Sequence, residues 1–188
     1  MASTYSTNLK IELIGTGEQA GTWGTTTNTN LGTALEQAVV GKADVTMSST
    51  TITLTLTNAN TAQNARAIYL NLTGSPGGAA VLEVPAIQKP YIVKNGSDQQ
   101  VTIKVSGQTG VAIPTGKTAL VYNNGTDVVT AVDFIPEIAT TTVDATNIEV
   151  TNIKAKDGTS AGSIADSTGV VTLASSVLTT TDINGGTI

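Results

Sequence analysis

The sequence predicts a mainly β protein with three parts. An amino-terminal strand and one short α-helix precede an antiparallel β-sandwich or jelly-roll-like domain, and an extended β shaft follows. Short β-branched runs recur about every ten residues between 43 and 134, and each is closed by Gly, Pro, Asn or Asp. Apolar and polar residues alternate within these runs, as in Val101-Thr-Ile-Lys-Val, which is the period of a half-buried strand. Threonine makes up roughly one residue in five, and aromatic residues only 3%, a composition typical of packed β structure.

The first predicted element is an edge strand from Ser6 to Ile14. Leu9, Ile11 and Leu13 would lie on one side of it and the charged residues between them on the other. Glycines at 15 and 17 end the pattern. The first predicted segment, residues 1–42, contains this strand and the helix that follows.

A 3.6-residue period predicts a helix from about 28 to 40. Thr27 or Asn28 could cap its start, and Gly41 stands where a C′ glycine belongs. A helix of little more than three turns is not stable alone, so its apolar stripe must pack on the β domain or on matching helices of other chains. The stripe consists of Leu31, Ala34, Leu35, Ala38 and Val39, and Leu31, Leu35 and Val39 are the candidate helix-packing or trimer contacts.

The β-sandwich domain is predicted to span residues 43–136 with seven or eight strands. Its connectors are too short for crossover helices, which predicts antiparallel pairing. Asn123-Asn-Gly125 predicts a hairpin turn, because a tight turn needs positive φ and Asn or Gly adopts it at low cost.

Residues 137–188 are predicted to form a polar linker and the start of a trimeric β shaft. The strands there are short, and one chain has too few apolar residues to enclose a core. Three chains wound about one axis could share a core. The candidate shaft contacts are Ile148, Val150, Ile153, Ile164, Val171 and Leu173.

Composition argues against several classes of function. The chain has no Cys and no His, and its nine basic residues give a net charge of −5 without a basic patch. Nucleic-acid binding therefore has little electrostatic support. No signal peptide or membrane-spanning run is found. We expect no catalytic residues, no cofactor and no metal site.

Two features of the sequence could contradict this expectation. Gly116-Lys-Thr resembles the end of a phosphate-binding loop, but the required earlier glycine is replaced by Val111 and the following residues predict a strand. Paired carboxylates could cleave polysaccharide, but the acidic residues are scattered and mostly lie at predicted turns.

Two stretches resemble phage fibre proteins. The sequence KPYIVKNGSDQQVTIKVSGQTGVAIPTGKTALVYNNGTDVVTA looks like a β module of phage tail fibres and other virion structural proteins, over roughly residues 81–131. The opening TYSTNLKIELIGTGEQAGTWGTTTNTNLGTALEQAVVG resembles the amino-terminal segment of such fibres, and the later ADSTGVVTLAS and TTTDINGGTI resemble fibre shaft segments.

The resemblance implies a structural virion protein: the attachment-proximal part of a tail fibre, located on the tail and assembled in the host cytoplasm. Its expected partners are two further copies of itself, in a homotrimer, and phage tail proteins of the adaptor or nozzle type. A host receptor would be contacted only by distal parts. Two alternatives stay open: a capsid head fibre or decoration protein, and the non-catalytic stem of a fibre-borne polysaccharide depolymerase. The candidate tail-docking residues are Leu9, Ile11, Leu13 and Trp23, although Trp23 could instead anchor its loop onto the helix.

Overall fold

The computed structural model describes residues 2–136, 152–154, 160–164, 168 and 170–173. The chain divides into two compact units, Met1–Pro136 and Glu137–Ile188. The described residues form a mainly β protein with one helix, which confirms the mainly β part of the predicted fold class.

The chain begins with a small hairpin of strands β1 (Thr4–Tyr5) and β2 (Glu12–Leu13). The single edge strand predicted from Ser6 to Ile14 is therefore wrong. Between the two strands the chain turns back on itself, with Lys10 at a φ of 54° and the N–H of Ser6 donating to the carbonyl of Ile11. The alternating pattern failed because the turn reverses the chain and breaks the two-residue period.

The helix follows the hairpin in three continuous segments. These are α1 (Trp23–Thr29), a π-helical segment (Asn30–Leu35) and α2 (Glu36–Val40). We call the whole run the amino-terminal helix. It starts at Trp23, earlier than the predicted 28, and its N-cap residue is Thr22 rather than Thr27 or Asn28.

Gly41 ends the helix in extended conformation, with φ of −70°, so the left-handed C′ geometry expected of it is absent. It is needed for a different reason, since a Cβ at this position would lie 2.5 Å from the carbonyl oxygen of Gln37.

Nine strands form the remainder of the first unit and build two sheets. The five-stranded sheet has the order β11-β10-β7-β5-β3, and the four-stranded sheet has the order β4-β6-β8-β9. A 3₁₀ turn (Asn64–Arg66) lies between β4 and β5. The strands are β3 (Lys42–Thr46), β4 (Thr51–Thr53), β5 (Tyr69–Thr73), β6 (Ala80–Val84), β7 (Gln88–Asn95), β8 (Val101–Val105), β9 (Val111–Ile113), β10 (Thr118–Asn124) and β11 (Val128–Thr130).

Successive strands alternate between the two sheets from β3 to β8. The chain therefore winds through three stacked coils, each with one strand in either sheet, and the pairs β3–β5, β5–β7, β4–β6 and β6–β8 are parallel. The expectation of antiparallel connections is wrong for these four pairs. A crossover between parallel neighbours needs no helix when a strand of the opposite sheet provides it. Strands β9, β10 and β11 then close the stack with antiparallel pairs.

The core lies between the two sheets. Alternate side chains of β5, β7 and β10 face those of β6, β8 and β9, and their buried members form one hydrophobic cluster. Val101 and Ile103 point inward and Thr102 and Lys104 are half-buried, as their alternation predicts. The predicted hairpin at Asn123-Asn-Gly125 is also present, with Gly125 at a φ of 91° between β10 and β11.

The second unit is described only in short pieces. Strands β12 (Asn152–Lys154), β13 (Ser160–Ile164) and β14 (Val171–Leu173) form a three-stranded antiparallel sheet in that order. The pairing of β12 with β13 contains a register shift at Ile153/Lys154.

Candidate interaction surface

The amino-terminal helix has small and polar residues on the side that faces its own chain. Ala34 is fully buried, and the half-buried Asn30 and Gln37 make specific hydrogen bonds. The Nδ2 of Asn30 donates to the carbonyl of Glu12 at 2.8 Å, and Oε1 of Gln37 accepts the N–H of Gln63 at 3.0 Å. The helix is thus held to the hairpin and to the loop after β4 by polar contacts and one small apolar side chain.

The opposite side of the helix carries its large apolar residues. The exposed fractions are 56% for Leu31, 40% for Leu35 and 59% for Val39, and Trp23 at the first helical residue is 62% exposed. Leu31, Leu35 and Val39 follow one another at intervals of four residues, which places them along one line of the helix surface. We call Trp23, Leu31, Leu35 and Val39 the apolar helix face.

This distribution reverses the usual one. A surface helix of a globular domain normally turns its large apolar residues towards the core and its polar residues to solvent. Here the predicted stripe is divided, because Ala34 points inward while Leu31 and Leu35 point outward. The stripe was predicted to pack on the β domain or on matching helices of other chains. The β domain of the same chain leaves most of the stripe uncovered. Full burial of a large apolar side chain is worth about 1.5–3 kcal/mol relative to full exposure. The side chains of this face are 40–62% exposed, so a partner that covered them would gain the corresponding part of that free energy.

The candidate docking residues of the hairpin have different environments. Leu9 and Ile11 are half-buried in and beside the turn, whereas Leu13 on β2 is exposed. They therefore do not form one side of a strand. Trp23 is too exposed to anchor its loop against the helix, and it is itself the first residue of that helix.

A polar cluster around Glu12 joins the hairpin to the helix and to the loop after β4. The carboxylate of Glu12 accepts bonds from Nε2 of Gln19 at 2.5 Å and from Nδ2 of Asn60 at 2.8 Å. The N–H of Glu12 donates to Oδ1 of Asn60 at 3.1 Å. Among the described residues, no group of three or more acidic side chains is placed to hold a metal ion.

A second apolar surface lies on the outer side of the five-stranded sheet, and the sequence reasoning missed it. Leu120 pairs with Ile92, which pairs with Tyr69, and in the next row Tyr122 pairs with Val129. Leu120, Tyr122 and Val129 are each at least 39% exposed. The alternation of β10 contained this signal, since Leu120 and Tyr122 are two residues apart and must share a face.

A third feature, which the sequence analysis does not predict, is a buried pair of basic side chains. Arg66 is fully buried and Lys89 is 5% exposed, and the Lys89 Nζ lies 4.3 Å from the centre of the Tyr91 ring. Lys89 opens the KPYIVKNG stretch, but no pattern in the sequence pairs it with Arg66. Only the fold, which brings the 3₁₀ turn against β7, places them together.

An open, mainly apolar groove of about 350 Å³ lies at one end of the four-stranded sheet. Its floor includes Leu54, Val84 and Pro85, and Glu83 lies among its polar lining residues. The Oγ1 of Thr53 donates to the Glu83 carboxylate at 3.2 Å. Among the residues that line the groove, Glu83 alone is acidic, so the groove lacks the pair of carboxylates that cleavage of polysaccharide requires.

The candidate shaft residues are only partly placed. Ile164 on β13 is half-buried and Val171 on β14 is exposed. Ile153 and Leu173 belong to strands β12 and β14, and Ile148 and Val150 lie outside the described residues.

Comparison with known protein families, with curated proteins and with solved structures gives no match for this chain. Among the described residues, no helix is long and apolar enough to span a membrane.

Proposed function

We propose that this chain is a structural virion protein, the attachment-proximal part of a phage tail fibre. Residues 1–42 would dock the fibre onto the tail, the β domain would act as a spacer, and residues from 137 would begin a trimeric shaft. The activity is binding rather than catalysis. This proposal takes the class of protein from the resemblance of the sequence to phage fibres.

One structural observation carries the proposal, namely the apolar helix face. Leu31, Leu35 and Val39 are exposed although the inward side of the same helix is small and polar. Contiguous apolar surface of this kind marks an interaction site. In a fibre, the same helices of two further copies would cover it, because three identical helices around one axis can bury such faces against one another.

Trp23 is placed to serve the docking function at one end of this face. It is exposed, it begins the helix, and tryptophan is enriched at energetically dominant positions of interfaces. One trimer would present three copies of a weak docking surface to the tail at the same time. Because the three copies are linked, their combined affinity exceeds that of one copy.

The oligomeric mass of the purified chain tests whether other copies of the chain cover the apolar helix face. Light scattering coupled to gel filtration is expected to give three times the mass of one chain. Replacing Leu31 and Leu35 together by Ser should lower the mass towards that of one chain. The matched control replaces Thr25 and Thr29 by Ser, because these residues are also exposed or half-exposed on the helix but carry no large apolar group. A wild-type chain that is monomeric at every concentration would contradict the proposal.

The position on the virus particle tests the assignment to the tail. Cryo-electron microscopy of particles that carry this protein, labelled with antibody fragments against the β domain, should locate it where fibres join the tail. Label on the capsid would favour the head fibre or decoration protein. Label on the tail together with a catalytic domain beyond residue 188 would favour the stem of a depolymerase.

A further inference from the structure

The tip of the amino-terminal hairpin is attached at two points that lie side by side. The Nε of Arg66 donates to the carbonyl of Leu9 at 2.9 Å, and the backbone N–H of Gln88 donates to Oδ1 of Asn8 at 3.2 Å. Gln88 precedes Lys89 on β7, and the side-chain Nζ of Lys89 donates to the backbone carbonyl of Arg66. Both attachment points therefore border one buried group, Arg66 and Lys89.

The hydrogen bonds of this group all end on backbone carbonyls. The Arg66 guanidinium also donates to the carbonyls of Thr61 at 2.8 Å and Ala59 at 2.7 Å. The Lys89 Nζ donates to the carbonyls of Arg66 at 2.5 Å and Ala67 at 2.8 Å. None of these bonds goes to a carboxylate, so two basic groups share a buried site without a paired negative charge. Such an arrangement strongly disfavours the second charge.

The neutral form of Lys89 suits the site. An uncharged amine has two N–H donors, and the structure supplies two carbonyl acceptors for them. A third proton would face the Tyr91 ring, which attracts a cation, but burial and the positive charge of Arg66 act in the opposite direction. The charged residues of the hairpin are Lys10 and Glu12, and the Glu12 carboxylate is bonded to Gln19 and Asn60 instead.

The rest of the hairpin is weakly held. In residues 2–33, no side chain is fully buried, and the link to the β domain consists of polar contacts such as those of Glu12 with Asn60. A segment with few buried apolar contacts opens at low free-energy cost. Release of the hairpin should therefore cost less free energy than unfolding of the sheets.

We propose that Arg66 and Lys89 form a proton-controlled latch, in which neutral Lys89 keeps the hairpin tip docked on the β domain and protonation of Lys89 shifts the hairpin towards release.

The direction of the effect follows from the titration of Lys89. Burial, and then the charge of Arg66, lower its pKa from 10.5 to about 7. If release exposes Lys89, the open form binds its proton below pH 10.5 and the docked form only below about pH 7. The equilibrium then shifts towards release as the pH falls from about 10.5 to about 7, and it levels off below that range. The shift is at most about tenfold per pH unit.

A spin label at the hairpin tip tests the latch. The chain has no native cysteine, so Thr7→Cys, at an exposed position of the turn, gives a single labelling site for a nitroxide. Its electron paramagnetic resonance spectrum should show a growing mobile fraction as the pH is lowered towards about 7. A second protein labelled through Thr126→Cys, in the exposed β10–β11 turn, should show no such change.

Two lysine variants identify the responsible group. Lys89→Met removes the titrating amine, and the mobility of the Thr7 label should then no longer depend on pH. Lys94→Met is the matched control, because Lys94 lies on the same strand but donates to the Gly116 carbonyl on the surface, and it should behave as the wild type.

Three results would overturn the latch: no pH dependence at Thr7, the same dependence in Lys89→Met, or equal changes at Thr7 and Thr126. If Lys89→Met fails to fold, the two wild-type labels still decide between local release and global loosening. The latch concerns only the hairpin and the β domain, so its failure would leave the fibre proposal standing.

Discussion

The Oδ2 atom of Asp127 lies 2.9 Å from the backbone nitrogen of Gly110 and accepts its N–H. The same carboxylate accepts the N–H groups of Thr109 at 3.1 Å, Val128 at 2.7 Å and Val105 at 3.4 Å. Asp127 belongs to the β10–β11 turn of the five-stranded sheet, whereas Gly110 belongs to the β8–β9 turn of the four-stranded sheet. One carboxylate thus ties the ends of the two sheets together.

We expect Asp127→Asn to lower the free energy of unfolding by about 1–3 kcal/mol. An amide replaces one carboxylate oxygen by NH₂, so the N–H groups bonded to that oxygen lose their acceptor. Urea unfolding followed by circular dichroism measures the loss. Asp98→Asn is the control, since Asp98 is exposed, and it should change stability little.

The effect of Asp127→Asn should depend on pH. Burial works to raise the pKa of Asp127, but the N–H donors of Gly110, Val128, Val105 and Thr109 outweigh it and hold the pKa below the usual 3.8. A lowered pKa means stability that is complete above the unfolded value and is lost as the pH falls through the folded value. The difference between wild type and Asp127→Asn should therefore shrink in acid below about pH 4. A constant difference down to full protonation would contradict this role.

Gly110 itself should be nearly irreplaceable. Its φ is 70°, and an added Cβ would lie 2.2 Å from the carbonyl oxygen of Ile103. Gly110→Ala should cost at least about 3 kcal/mol in unfolding free energy, because strain and collision add. Gly107→Ala is a matched comparison, since Gly107 has a φ of 79° but open space around it. It should cost only about 1 kcal/mol. Equal losses in both variants would show that the backbone angle alone matters.

The stability of the whole first unit should rise with pH between about 7 and 10. Unfolded Lys89 binds its proton up to pH 10.5, whereas folded Lys89 releases it near 7 because of burial and the charge of Arg66. The expected gain is at most about 1.4 kcal/mol per pH unit. It should end near pH 10, because burial raises the pKa of Tyr91 and unfolded Tyr91 then ionises first.

Urea unfolding at a series of pH values measures this rise. The Lys89→Met variant should show a much smaller slope, and Lys94→Met should keep the wild-type slope. A wild-type stability that is flat across this interval would show that Lys89 stays protonated in the folded protein.

The local patterns of the β domain could be predicted from the sequence. The alternation of Val101 and Ile103 with polar neighbours gave the buried side of β8, and the glycine after Asn124 gave the turn before β11. Such signals depend on the period of the side chains and on the φ angle of one residue, both of which are local.

The pairing of the strands could not be predicted in the same way. Short connectors exclude a helical crossover, but they do not exclude a path through the opposite sheet, which makes β3, β5 and β7 parallel neighbours. The reversal between Ser6 and Ile11 was missed for a related reason, because Lys10 adopts positive φ without the Gly or Asn that normally signals it.

The candidate surface was predicted in part. The 3.6-residue period identified the apolar residues of the helix, but period alone does not say which side faces the chain itself. That depends on the contacts of Asn30 and Gln37 with Glu12 and Gln63, which are distant in sequence. The buried site of Arg66 and Lys89 likewise arises only when the 3₁₀ turn meets β7.

Substitutions on the two sides of the helix should differ in whether their effect on stability depends on protein concentration. Ala34→Leu adds volume at a fully buried position and should lower unfolding free energy by about 1–3 kcal/mol at any protein concentration. Leu35→Ser removes a side chain that is 40% exposed, so part of its effect falls on the single chain, and the remainder should appear where copies of the chain associate. In the wild type the midpoint of thermal unfolding should rise with protein concentration, and in Leu35→Ser this dependence should weaken or vanish. Scanning calorimetry over a range of concentrations provides the measurement. If the midpoint of the wild type is independent of concentration, the apolar helix face is not covered by another copy, and a tail protein becomes the better candidate for its partner.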